Sequence, residues 1–158
     1  MLYCTFRLNG SDLSNLSCPG VGFFSAYSGK SGPHRNNPDS VTLKGTGPLP
    51  PGKYYIVERP RSIGTRIKDI AASKFTGSDH SIWFGLYRVD KHIDDVTFIN
   101  DVERGNFRLH PAGYEGISNG CITLPSSSDF GILRQALLNT PKLIISDSLV
   151  AFGTIQVY

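Results

Sequence analysis

Charged residues are scarce in this sequence, and long apolar runs are lacking. Of the 158 residues, 18% are charged, against the ~25% usual for globular domains, which argues against a chain built from long solvated helices. No apolar stretch approaches the ~18 residues of a membrane-spanning helix, and residues 1–7 have neither the cationic nor the apolar part of a secretory signal. We therefore expect no membrane span and synthesis in the cytoplasm without a signal peptide.

An excess of charge of one sign is also lacking. The sixteen basic residues give a net charge of +3 and are scattered along the chain, so the charge balance gives no reason to expect a nucleic-acid partner. No repeat, linker or charge block divides the sequence, and its length fits a prior of roughly 150 residues per domain. The sequence predicts a single domain over residues 1–158.

Turn-forming and strand-forming residues are abundant. Seventeen glycines and ten prolines punctuate segments rich in β-branched and aromatic residues, which favour strands. The expected fold class is mainly β, a β-rich α+β domain with one or two short helices. Strands are expected at residues 2–8, 21–27, 53–58, 81–89, 106–110, 142–146 and 149–158, and from residue 122 onward.

Three local patterns make this expectation more specific. Residues 2–8 alternate between apolar and polar side chains, which places Cys4 on a buried face, and they end at Asn9-Gly10, a favourable hairpin turn. A helix is expected over residues 129–139 after an N-cap at Ser127 or Ser128. A weaker helix is expected over residues 63–73. The buried stripe of the first helix should consist of Phe130, Leu133 and Leu137.

Cysteine and histidine chemistry is concentrated near the C-terminal third of the chain. His110 ends one predicted strand, and Cys121 follows Gly120 at the start of another. A thiol nucleophile needs a base within hydrogen-bond reach and amide donors for the developing oxyanion. His110 can serve as the base, and the amides of Gly120 and Cys121 are candidate oxyanion donors. Spacing alone leaves open a second interpretation, in which Cys121 is a buried apolar residue and His110 a loop residue.

Several motifs resemble one enzyme family. Residues 118–124 (SNGCITL) resemble the Ser-x-Gly-Cys signature of the L,D-transpeptidase (YkuD-like) catalytic domain, with His110 matching its upstream histidine, and residues 47–56 (GPLPPGKYYI) resemble its Pro-x-Gly strand entry. Three segments resemble, in the same order, the small L,D-transpeptidase-like effectors of type VI secretion systems: Ser28-Gly29, residues 36–38 (NNP) and residues 107–111 (FRLHP). The resemblance covers most of the chain after about residue 22.

The resemblance implies a fold, an activity and partners. The fold would be an L,D-transpeptidase-like β-sandwich without a metal or cofactor. The activity would be removal of the terminal D-Ala from peptidoglycan tetrapeptide stems, an L,D-carboxypeptidase reaction, with exchange or cross-linking as a further outcome. Such an effector is a secreted antibacterial toxin that acts in the periplasm of target bacteria. Its partners would be stem peptides, the secretion machinery and an immunity protein that occludes the active site.

The resemblance also implies which residues form the site. The expected catalytic residues are Cys121, His110, Gly120 and Ser118, and the expected substrate-binding residues are Arg108, Asn119, Asn36 and Asn37. Ordinary L,D-transpeptidases carry a histidine at the position of Asn119 and an arginine at that of Thr123. Arg108 or the 36–37 loop is the expected substitute for that arginine, although a solvated strand residue explains Arg108 equally well. A backbone carbonyl or Ser118 is expected to orient His110.

Two alternatives and one pairing stay open. A catalytically silent β-rich module that binds the cell wall fits the same composition, whereas a papain-like amidase would place its cysteine before its histidine. Cys4 and Cys18 lie fourteen residues apart and can pair in an oxidising compartment or stay reduced. In either case Cys121 is the thiol that remains for chemistry.

Overall fold

A computed structural model describes residues 1–60, 80–113 and 120–158 of the chain. The predicted helix at 63–73 and the site residues Ser118 and Asn119 lie outside this part. The strands are β1 (Leu2–Phe6), β2 (Ser14–Cys18), β3 (Gly22–Ser28), β4 (Gly52–Glu58), β5 (Phe84–Arg88), β6 (Val96–Ile99), β7 (Val102–Gly105), β8 (Arg108–Pro111), β9 (Ile122–Leu124), β10 (Leu143–Ser146) and β11 (Leu149–Val157). The described α-helix, α1, covers Ser127–Asn139, and short 3₁₀ helices cover Pro38–Ser40 and His80–Ile82.

The main sheet closes on itself. Its described strands run in the order β1-β2-β3-β9-β8-β5-β4-β11-β10, and β1 also pairs with β11. The long strand β11 makes this closure possible, since Ala151 pairs with β10 while residues 153–157 pair with β1 in parallel register. The hairpin β6-β7 forms a separate two-stranded sheet. The structure thus confirms a mainly β class with a short helix, arranged as a barrel.

The core fills the inside of this barrel. One cluster of buried side chains joins residues of β1, β2, β4, β5, β8, β9 and β11 with the inner face of the helix. Phe130, Leu133 and Leu137 are at most 1% exposed, as their spacing predicts. The helix begins one or two residues earlier than expected, because the side chain of Ser126 accepts a hydrogen bond from the amide of Asp129 at 3.2 Å. This places α1 directly after β9 and against the sheet that carries the site.

The N-terminal hairpin differs from its prediction. The alternation over residues 2–8 is confirmed, with Cys4 and Phe6 buried, but the connection to the next strand is longer than the two residues Asn9-Gly10. The amide of Leu8 donates to the carbonyl of Tyr158 at 2.8 Å, so pairing with the C-terminal strand continues beyond β1. The return strand is β2, for which we predicted no strand, and a disulfide joins Cys4 to Cys18 across this hairpin.

The segment from residue 81 to 105 also differs from its prediction. A 3₁₀ helix occupies residues 80–82, so the strand expected at 81–89 covers only Phe84–Arg88. The hairpin β6-β7 was not predicted. It turns through Asn100 and Asp101, both with positive φ (47° and 64°), as a two-residue type I′ turn requires. This hairpin brings Arg104 toward the site.

Candidate active site

The site lies where β8 and β9 pair in parallel. His110 stands opposite Thr123, while Leu109 stands opposite Ile122. His110 and Thr123 share one face of the sheet, while the leucine and isoleucine enter the core. Cys121 directly precedes β9, and continued alternation would put its side chain on the face of Thr123. Strand spacings place the Cα atoms of His110 and Cys121 roughly 8 Å apart, a separation that a cysteine and a histidine side chain can bridge. The fold therefore brings the two predicted catalytic residues together.

A backbone carbonyl fixes the tautomer of His110. Its Nδ1 lies 2.8 Å from the carbonyl oxygen of Pro111. A carbonyl only accepts, so Nδ1 carries the proton and donates it, which leaves the lone pair on Nε2 in the neutral ring. Nε2 lies 3.2 Å from the hydroxyl of Thr123. The Pro111 carbonyl therefore orients His110 in the described structure, as one of the two predicted alternatives has it, while Ser118 lies outside the described residues. Nε2 accepts from the Thr123 hydroxyl, and it is the nitrogen that can take a proton from a thiol when that hydroxyl turns away.

An indole ring supports the imidazole from one side. The rings of Trp83 and His110 stack with centroids 4.1 Å apart and planes 20° from parallel, and the guanidinium of Arg59 lies 5.5 Å from the centroid of the Trp83 ring. No local pattern marks this contact, since Trp83 stands between the 3₁₀ helix and β5 and meets His110 only through the β5-β8 pairing. The stacked indole therefore restricts rotation of the His110 ring, in addition to the hydrogen bond from Nδ1 to the Pro111 carbonyl.

Gly120 allows close packing directly before the nucleophile. Its φ is +90° and it is buried, and a Cβ atom there would lie 2.7 Å from Nη2 of Arg104 and 3.0 Å from the ring of Phe107. Both the conformation and the space therefore require glycine. Cys121 itself is half-buried and outside the disulfide, and its Sγ lies 3.9 Å from the carbonyl oxygen of Asn106. The use of the neighbouring amides as oxyanion donors stays a prediction.

Two arginines, Arg104 and Arg108, interact electrostatically with Cys121. Arg104, only 3% exposed, donates to the carbonyl oxygens of Val41, Gly47 (3.0 Å) and Pro48 (3.3 Å). Burial lowers the pKa of Arg104, and the negative charges of Tyr54 and Cys121 oppose this effect when those groups are ionised. We did not predict Arg104 as a site residue, because no spacing in the sequence connects it with Cys121.

Arg108 is held by a carboxylate. Its guanidinium donates to both oxygens of Asp95, at 2.6 and 2.7 Å. Burial lowers the pKa of Arg108, but hydrogen bonding and the charge of Asp95 outweigh burial, and the Cys121 thiolate adds to them, so the pKa is raised. The bidentate pair accounts for this side chain without a substrate. A substrate contact by Arg108 stays a prediction that requires the pair with Asp95 to open or to be shared.

The 36–37 loop is built from internal hydrogen bonds. Asn36 is fully buried with a φ of 52°, and its amide side chain accepts from the backbone of Ser28 at 2.8 Å and donates to the carbonyl of Ser11. Asn37 caps the 3₁₀ helix through the amide of Asp39 and donates to the carbonyl of Pro33. These contacts give both residues a structural role, and their predicted substrate contacts stay predictions.

The family-like segments pack against one another. The hydroxyl of Ser28 accepts from the amide of Leu49 at 2.8 Å, so the Ser28-Gly29 segment is tied to the strand entry at 47–56. Arg104 then ties that entry to Gly120. Segments that lie far apart in the sequence therefore form a continuous layer behind the cysteine.

Residues 1–60, 80–113 and 120–158 show two further features. They contain no group of three or more His, Cys, Asp or Glu side chains placed to hold a metal ion. The helices among them are too short or too polar to cross a membrane.

Comparison with known proteins assigns the class. A mainly β domain with a histidine and a cysteine side by side at one strand pair fits an L,D-transpeptidase-like protein. The family model for the Tlde1 domain matches residues 22–148, most of the chain. The chain therefore belongs to the Tlde1 domain family, whose members are L,D-transpeptidase-like effectors of type VI secretion, as the resemblance predicted. Neither curated proteins nor solved structures give a match to the chain.

Proposed function

We propose that this protein is a cysteine-dependent enzyme that shortens peptidoglycan stem peptides. The observation that carries the proposal is the position of His110, oriented through Nδ1 by the Pro111 carbonyl and paired with Thr123, two residues after Cys121. Membership of a family of L,D-transpeptidase-like effectors supports peptidoglycan as the substrate class. The main reaction is L,D-carboxypeptidase cleavage of the terminal D-Ala from a tetrapeptide stem.

The first half of the reaction forms a thioester. Nε2 of His110 takes the proton of Cys121, and the thiolate attacks the carbonyl carbon of the third stem residue. The amides of Gly120 and Cys121 are the donors expected to stabilise the oxyanion. The carbon–nitrogen bond then breaks, the imidazolium returns its proton to the leaving amine, and free D-Ala departs from a thioacyl-enzyme.

The molecule that attacks the thioester determines the product of the second half of the reaction. When water attacks the thioester, Nε2 takes one of its protons, and the tripeptide stem and the thiol are released. When the amine of a D-amino acid or of a neighbouring stem attacks instead, the product is an exchanged or cross-linked stem. We propose that hydrolysis predominates and that exchange occurs when the amine concentration is high.

The biological role follows from the family. Effectors of type VI secretion are delivered by the secretion machinery, and we propose that this one is an antibacterial toxin that acts in the periplasm of the recipient cell. An immunity protein that covers the face of Cys121 and His110 would protect the producing strain. Expression of the chain in the cytoplasm and, with an added export signal, in the periplasm of a test bacterium checks the compartment, because lysis is expected only after export.

The activity is tested on purified muropeptides. Sacculi are digested with a muramidase, the tetrapeptide products are incubated with the protein, and mass spectrometry follows the loss of one alanine. Cys121→Ala is expected to abolish this loss, and His110→Ala should reduce it by at least about a thousandfold, whereas the exposed His92→Ala serves as the matched control and keeps full turnover. Unchanged stems with the folded wild-type protein would favour the silent cell-wall-binding module instead.

A further inference from the structure

A buried cation lies close to the backbone directly before the nucleophile. Nη2 of Arg104 approaches Gly120 so closely that a Cβ atom at that position would lie 2.7 Å from it. The guanidinium comes from β7, a strand of the separate hairpin, and reaches across to the main sheet. This approach requires both the hairpin and the glycine, so the structure contains two features that bring one positive charge to Cys121.

The described contacts of Arg104 leave that charge in place. Its described hydrogen-bond partners are the carbonyl oxygens of Val41, Gly47 and Pro48, and its guanidinium carbon lies 5.4 Å from the centroid of the Phe107 ring. Carbonyls and an aromatic face hold a cation through partial charges and do not neutralise it. Arg108 differs, since Asp95 compensates its charge.

A buried positive charge acts strongly on a nearby thiol. Electrostatic interactions weaken less with distance inside a protein than in water, and cationic neighbours favour the ionised form of cysteine. The charged and titratable groups that the described contacts place around Cys121 include Arg104 from β7 and Arg108 and His110 from β8, with Asp95 paired to Arg108 and Tyr54 interacting with Arg104. Arg104 is the member of this set that is cationic at every working pH and has no described carboxylate partner.

We infer that Arg104 is a positioning residue whose buried charge holds Cys121 as the thiolate, the form that attacks a carbonyl carbon. The inference rests on the proposed function in one respect, the use of Cys121 as the nucleophile. Ordinary L,D-transpeptidases carry an arginine at the position of Thr123. Arg104 thereby supplies part of the positive charge that this chain lacks there. It acts from behind the nucleophile and leaves the open side of the thiol to the substrate.

The test measures the ionisation of Cys121 without turnover. The rate of alkylation by iodoacetamide is followed by intact mass from pH 4 to pH 10, and Cys121 is the thiol that reacts because Cys4 and Cys18 are joined. Arg104→Met removes the charge and keeps the aliphatic stem, while Arg104→Lys keeps a charge. Arg88→Met is the matched control, since Arg88 also donates to a loop carbonyl, at 3.0 Å from Pro51, and also interacts with Tyr54.

The expected result is a shift of the midpoint pH. Arg104→Met should raise the midpoint by about one pH unit or more, whereas Arg104→Lys and Arg88→Met should stay within about 0.3 units of the wild type. A folded Arg104→Met with the wild-type midpoint overturns the inference, and so does an equal shift in Arg104→Lys and Arg104→Met, which would show that packing matters and charge does not.

If the Arg104→Met chain does not fold, a second measurement on the wild type and on Arg104→Lys tests the inference. The native wild-type midpoint should then lie about one pH unit or more below that of the urea-unfolded chain, and Arg104→Lys should keep the native value. A native midpoint at or above the unfolded one overturns the inference. If the muropeptide stems stay unchanged while the native midpoint is low, the proposed function is wrong and the role of Arg104 is retained. Failure of the proposed function and failure of this inference are therefore distinguishable.

Discussion

Among the described strands, two pairs are parallel, and they use cysteine in opposite ways. The β1-β11 pair closes the barrel and buries Cys4, which is 3% exposed and bonded to a fully buried Cys18. The β8-β9 pair carries Cys121, half-buried and outside the disulfide, beside a buried histidine and threonine. We call the first pair the seam and the second the site pair.

The difference lies in what each pair buries. Along the seam, the inward residues are apolar, as with Phe6, Ile155 and Val157, and they need no hydrogen-bond partners. At the site pair, buried polar groups form a chain from the Pro111 carbonyl through His110 to Thr123, and each group depends on its neighbour to be satisfied. The seam therefore contributes mainly to stability and the site pair to chemistry. We predict that changes near the seam alter the stability of the protein, whereas changes at the site pair alter its turnover.

Reduction of the disulfide between Cys4 and Cys18 should give the largest change in stability. The bond closes a loop of about fifteen residues, which is worth roughly 3 kcal/mol through restriction of the unfolded chain. Urea unfolding of the Cys121→Ala protein, with and without reductant, measures this loss, because the bond between Cys4 and Cys18 is then the one cysteine group that can change. An unchanged urea midpoint would show that the β1-β2 hairpin beside the seam is stable without its cross-link, whereas turnover of the reduced wild type below its unfolding temperature should stay within about twofold.

The second largest effect is expected from a methyl group at Gly120. It should lower turnover, whereas the same change near the seam should not. Gly120→Ala places a Cβ atom at a φ of +90° against Arg104 and Phe107, so we expect a loss of turnover of about a hundredfold as the nucleophile is displaced. Gly10→Ala is the control near the seam: its φ is +71°, but nothing lies within 4 Å of its added Cβ. It should cost only about 1 kcal/mol of stability and leave turnover intact. Equal turnover in both variants would contradict the tight packing at Gly120.

Local patterns predicted much of the scaffold. Alternation over residues 2–8 identified the buried face of β1, and the spacing of Phe130, Leu133 and Leu137 identified the inner face of the helix, because both are periodicities within one element. The motifs around His110 and Cys121 predicted two residues that lie at the neighbouring strands β8 and β9, with His110 opposite Thr123 and Cys121 directly before β9; their catalytic roles stay predictions. The turn at Asn100-Asp101 was a signal that we missed, since these residues accept positive φ less readily than glycine does.

Long-range pairing explains what could not be predicted. The seam joins the first strand to the last, and no local pattern reports which strands meet at such a distance in sequence. Arg104 and Trp83 reach the site through the β6-β7 hairpin and the β5-β8 pairing, so their roles depend on tertiary packing. Arg108 and Asn36 illustrate the opposite case: their positions fit a substrate contact in the sequence, yet the fold gives each a partner of its own.

The smallest expected effect concerns the ring that stacks on His110. Trp83→Leu removes an aromatic face centred 4.1 Å from the imidazole, while the hydrogen bond from Nδ1 to Pro111 keeps the tautomer. Because the hydrogen bonds of the ring to Pro111 and Thr123 both remain, we expect a loss in kcat of only roughly tenfold with little change in KM. Trp83→Phe, which keeps a flat ring, should recover most of that loss. Tyr3→Leu makes a similar change at the seam, on a side chain that is 65% exposed, and should leave kcat unaltered. If Trp83→Leu and Tyr3→Leu gave the same kcat, the stack would be packing without consequence for the base, and the hydrogen bonds to Pro111 and Thr123 would suffice to orient His110.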